Sequence, residues 1–61
     1  MSSGIDPEIE EAVEKAMPLL LKQEQAPLYR EYYKLFKSAP NKDVRYYNAY
    51  WLLRAFLALK E

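Results

Sequence analysis

The sequence predicts an all-α fold, a compact mini-domain of three helices over about residues 7–24, 27–38 and 42–60. Three observations carry that expectation. The only glycine, Gly4, lies in the N-terminal stretch, and the prolines at 7, 18, 27 and 40 fall near helix boundaries, Pro18 excepted. Apolar residues recur with a helical period along three separate segments. The chain also has 61 residues with neither Cys nor His, so disulfides and zinc are unavailable to supplement a small core, and good helix packing or self-association must do so. Residues 1–5 are expected to form a flexible tail, and 6–61 a single domain.

Helix 1 opens at Ile5-Asp6-Pro7-Glu8. Asp6 suits the N-cap, Pro7 the first helical position, and Glu8, Glu10 and Glu11 oppose the positive end of the helix dipole. From there Ile9, Ala12, Val13, Ala16, Met17, Leu19 and Leu20 share one side, with Glu10, Glu11, Glu14, Lys15 and Lys22 opposite. Pro18 falls on the polar side, which predicts a kink or a helix that stops and restarts.

Gln23 to Ala26 connects to helix 2, opened by Pro27 with only Gln25 or Ala26 available as a poor cap. Leu28, Tyr29, Tyr32, Leu35 and Phe36 share a face, with Tyr33 at its edge and Arg30, Lys34 and Lys37 on the other side. Pro40 then pushes Ala39 out of the helical region, and Asn41 or Asp43 caps helix 3.

Helix 3 is apolar well beyond one face. Between Val44 and Leu59 the polar residues are Arg45, Asn48 and Arg54. One stripe, Val44, Tyr47, Trp51, Ala55 and Ala58 with Leu52 and Leu59 beside it, is expected to pack on helices 1 and 2. A second stripe, Tyr46, Tyr50, Leu53 and Leu57, is the expected partner-binding surface, because two helices of modest length do not cover both. The alternative is that helix 3 is sandwiched between the others, with these tyrosines at the edge of the core.

The formal net charge is 0, yet residues 1–25 sum to −4 and residues 26–61 to +4. Acidic helix 1 then attracts basic helix 2 or a second copy. A different reading assigns Arg30, Lys34, Lys37, Lys42 and Arg45 to a nucleic-acid face, in a helix-turn-helix-like arrangement with the start of helix 3 in the groove. Overall neutrality and a turn without glycine weigh against it.

Other chemistries find little footing. With no imidazole or thiolate, and with Ser2, Ser3 and Ser38 lacking a visible base, no catalytic residue is assigned, and no cofactor or small-molecule substrate is evident. Glu10 and Glu14, even with Glu24 or Asp6, fall short of the oxygen set a hard cation wants, so no metal site is assigned. The longest uncharged run in helix 3, Tyr46 to Leu53, is far short of the roughly 20 residues of a membrane span. The absence of cysteine and of a basic-then-apolar leader points to a cytoplasmic protein without a secretory signal. Residues 39–49 echo the junction between tetratricopeptide repeats, but Tyr50 stands where that pattern wants a small side chain, and no family follows from it. The expected function is protein contact without catalysis, most simply a homodimer joined along helix 3, or docking on another protein.

Overall fold

The computed structural model describes residues 7–61. It contains three helices: α1 (Pro7–Leu20), α2 (Ala26–Lys37) and α3 (Lys42–Lys60). The all-α, three-helix expectation holds. The tail predicted for residues 1–5 and the Asp6 cap lie outside the described residues.

α1 is shorter than the 7–24 expected from its pattern. Pro18 stays inside the helix on an exposed position, and the helix ends two residues later. Proline offers no amide to the carbonyl four residues back, so the last turn is held by fewer bonds. Tighter turns then take over: the Lys22 and Gln23 amides donate to the carbonyls of Leu19 and Leu20, each at 3.1 Å. The Gln23 Nε2 amide also donates to the Leu19 carbonyl at 3.1 Å, a second bond to the acceptor that the Lys22 amide already uses. The predicted kink or restart is therefore a termination.

α2 starts at Ala26 with Pro27 in its first turn, and Gln25 makes no side-chain cap bond. α3 is capped as expected: Asn41 has extended backbone, and its side-chain oxygen accepts from the Val44 amide at 3.0 Å.

α3 is the central element. It packs along both other helices, whereas α1 and α2 meet only slightly. The core joins Val13, Ala16, Met17 and Leu20 of α1 to Phe36 of α2 and to Ala49 and Leu52 of α3. Three residues read as core-facing, Leu19, Leu28 and Leu35, are instead exposed, because α1 and α2 turn their faces toward α3 rather than toward each other.

Where α1 and α2 do meet, the contact is polar. The Tyr33 hydroxyl donates to Glu14 at 2.7 Å, and Lys37 Nζ donates to Glu10 at 3.1 Å and to Glu14 at 3.2 Å. The −4 and +4 segments thus attract one another within the chain. The Tyr33 bond, aided by Lys37, holds the Glu14 carboxyl below its ordinary value of 4.5. The same bond raises Tyr33, and the carboxylates of Glu10 and Glu14 raise Lys37.

These directions set a pH window. Glu14, lowered in the folded state, contributes stability above its ordinary value that is lost as pH falls through its folded value. Tyr33 and Lys37, raised in the folded state, contribute stability that is complete below their ordinary values of 10.0 and 10.5 and lost as pH rises further. Because the side chains of Lys37 and Glu14 are 43% and 44% exposed, solvent screening keeps the effect to about 0.2–1 kcal/mol. Thermal melts across pH should therefore show a neutral plateau falling at both ends. Glu14→Gln should flatten the acid limb; an unchanged acid limb would refute the Glu14 contribution.

Candidate protein-contact face

The buried seam of α3 runs through Asn48, Ala49 and Leu52, with Phe56 partly buried and packed against the core. At roughly 100° per residue, the opposite arc carries Tyr46, Tyr47, Tyr50, Arg54, Leu57 and Ala58. This differs from the two stripes expected above. Tyr47 and Trp51 were placed in the packing stripe, yet they are 60% and 41% exposed. Leu53 was placed in the partner stripe, yet it is half-buried against the core.

The reason is size. A helix wedged between two others needs small side chains where the backbones approach, and Ala49 and Asn48 supply them, while the bulky rings of Tyr47 and Trp51 do not fit. Ala55 of the first stripe is indeed packed against the core, and Val44 is half-buried. Of the second stripe, Tyr50 and Leu57 are 53% and 55% exposed, and Tyr46 lies at the edge of exposure.

The exposed rings are ordered against each other. Trp51 meets Tyr50 edge-on at 5.2 Å between centroids, and Tyr47 at 6.3 Å. Aromatic side chains have only two rotatable bonds, so covering such rings costs little side-chain entropy. The chain matches no family model, no curated protein and no solved structure.

Two grooves flank it. A cleft of about 400 Å³ between α2 and α3 is lined by Leu28, Tyr29, Tyr32 and Trp51 among others, and includes Leu57. A second groove of about 470 Å³ between α1 and α3 is lined by Ala12, Lys15, Leu53, Phe56, Leu57 and Lys60. Leu57 borders both, so the outer side of α3 is a ridge between two largely apolar troughs.

The five basic residues of the nucleic-acid reading do not form one free surface. Lys37 is held by Glu10 and Glu14, and Lys34 pairs with Glu31 at 3.6 Å. Arg45 is half-buried, lies over the Phe36 ring at 5.6 Å and donates to the Phe36 carbonyl at 3.3 Å. It serves as a lid on the core, closing its α2 side. Among the described residues, no group of three or more acidic residues is placed to hold a metal ion, and no helix is long and apolar enough to cross a membrane.

Proposed function

We propose that this chain is a non-enzymatic helical module that works through protein contact, associating with a second copy of itself along the outer face of α3. The observation that carries the reading is the aromatic outer arc of the central helix. Folding the single chain leaves Tyr47, Tyr50, Trp51 and Leu57 substantially exposed, on the one helix already packed along both others. Isolated surface hydrophobics are ordinary, whereas adjoining rings between two apolar grooves are a contact surface.

Area bounds the strength of the contact. With about 150–250 Å² per aromatic side chain, the four rings of Tyr46, Tyr47, Tyr50 and Trp51, 36–60% exposed, leave on the order of 400 Å² per chain. That is about half of the roughly 800 Å² per partner of a standard interface, with Leu57 and the groove walls adding to it. The expected dimer is weak, with dissociation in the micromolar range.

Sedimentation equilibrium from low to high micromolar concentration tests the reading. A mass rising from 7.2 kDa toward twice that value is expected, with melting that depends on concentration. Tyr50→Glu should abolish the rise while keeping the helical circular dichroism of the parent, since Tyr50 is exposed in the single chain. A 7.2 kDa species at every concentration would overturn self-association. The nucleic-acid alternative draws on a surface where three of its five cations already have intramolecular partners, so a second copy is the better-supported occupant.

A further inference from the structure

We infer that the two copies of α3 pair antiparallel, with Asp43 of each chain opposite Arg54 of the other; this rests on the self-association proposed above. The residues facing outward along α3, with Glu61 at its C-terminal cap, follow one line: Asp43, Tyr47, Tyr50, Arg54, Leu57 and Glu61. Their spacing of four, three, four, three and four is that of a coiled-coil seam, and every one of them is exposed. This line carries a sign pattern of negative, aromatic, aromatic, positive, aliphatic, negative. The pattern discriminates between the ways in which two such helices can meet.

In a parallel, in-register pair each residue faces its own copy. Asp43 then meets Asp43, Arg54 meets Arg54 and Glu61 meets Glu61, three like-charge contacts on one seam. In an antiparallel pair with the two-fold axis midway between Tyr47 and Tyr50, each Asp43 faces Arg54 of the second copy, and each Tyr47 faces Tyr50 of the second copy. Symmetry makes each of these contacts twice. Asp43 and Arg54 are eleven residues apart, close to three full turns and about 16 Å along the axis, so both stay on the seam. The two charge pairs then bracket the tyrosines, as polar ends bracket an apolar centre in a well-formed interface. The other antiparallel register that pairs opposite charges, Arg54 against Glu61, overlaps only the last turns and leaves Tyr47 and Tyr50 uncovered. Antiparallel pairing also sets the helix dipoles against each other favourably.

The two charges are available for this role. Lys15, Lys34 and Lys37 each have an ion-pair partner inside the chain, whereas among the described residues Asp43 and Arg54 have none. Arg54 is also the lone cation on an otherwise aromatic and aliphatic outer arc, where a charge without a counter-charge would weaken any apolar contact.

Charge reversal tests the register, and mixing single-cysteine chains tests it independently. Asp43→Lys and Arg54→Glu should each weaken dimerisation about tenfold or more, because each places like charges together twice, and the double variant should return to within about threefold of the parent. Circular dichroism on each variant confirms that the exposed substitutions leave the fold intact. In a cysteine-free chain, Tyr47→Cys mixed with Tyr50→Cys should oxidise mainly to the mixed disulfide, whereas parallel helices would give each variant linked to itself. If the single reversals leave the parent's dimerisation unchanged, if the double variant fails to recover, or if the like-with-like disulfides dominate, the register is wrong although the dimer stands. A parent chain that stays monomeric overturns the dimer itself, and the register with it.

Discussion

Leu52→Ala should remove about half of the protein's stability or more, whereas Leu57→Ala, five residues further along the same helix, should leave the dilute monomer almost as stable as before. Leu52 is fully buried in the cluster that joins all three helices, and Leu57 is 55% exposed. Truncating a buried leucine costs about 2–5 kcal/mol, since the lost transfer energy adds to the cavity left behind. At about 0.05–0.15 kcal/mol per residue, a chain of 61 residues has on the order of 3–9 kcal/mol in total. One substitution therefore removes about half of the stability or more, while a surface truncation stays within about 0.5 kcal/mol. Urea denaturation at a concentration where the chain is monomeric separates the two. The pair of results reads out the rotation of α3 about its axis: equal losses at Leu52 and Leu57 would mean that the helix buries a different face. At high concentration Leu57→Ala should weaken association, since Leu57 borders both grooves.

That rotation is what the sequence left open, for a physical reason. Two helix starts were announced by local chemistry, Pro27 in the first turn of α2 and Asn41 capping α3 with its side-chain oxygen on the Val44 amide, whereas the end of α1 at Leu20 was not. The attraction between acidic and basic segments was legible too, and it emerges as Lys37 bridging to Glu10 and Glu14. On α1 the apolar side contrasts with a charged one, and Val13, Ala16, Met17 and Leu20 are buried where the period places them. α3 offers no such contrast. Its apolar residues surround most of the circumference, so hydrophobicity selects no side, and the bulky Tyr47 and Trp51 drew the expected core toward themselves. What selects the side is volume. Packing of α3 between α1 and α2 places Ala49 and Asn48 in the buried seam and leaves the rings of Tyr47 and Trp51 outside. The adjacent small pair Asn48-Ala49, set between the rings of Tyr47 and Tyr50, was the available signal. The exposed face was accordingly half legible: Tyr46, Tyr50 and Leu57 lie on it, Leu53 turns inward, and Tyr47 and Trp51 join it.

Asn48 leads to the second large effect, in the opposite direction: replacing it should stabilise the monomer. Asn48 is 3% exposed, and its Nδ2 donates to the Val44 carbonyl at 2.8 Å, four residues back. In a helix that carbonyl already accepts the Asn48 backbone amide, so the side-chain bond adds little. Its Oδ1 is buried with no hydrogen-bond partner among the described residues. An orphaned buried acceptor costs about 1–3 kcal/mol, and asparagine is a poorer helix former than alanine or leucine by a few tenths more. Asn48→Ala removes both penalties and leaves a small void; Asn48→Leu fills the void at some risk of crowding. The better of the two should gain about 1 kcal/mol or more, raising the melting temperature by about 4–8 °C per kcal/mol in a domain of this size. Destabilisation by both would mean that Oδ1 is satisfied after all. A polar amide with an unsatisfied oxygen lies in the seam, while tyrosines and a tryptophan face outward on the same helix. Monomer stability alone would favour an apolar side chain of similar size at Asn48, and the proposed second copy would cover the rings that do not fit the seam. Asn48→Leu should therefore raise monomer stability without tightening the dimer, whereas Tyr50→Glu should dissociate the dimer at little cost to the monomer. Coupling between the two effects would show that the seam and the outer face are not independent sides of α3.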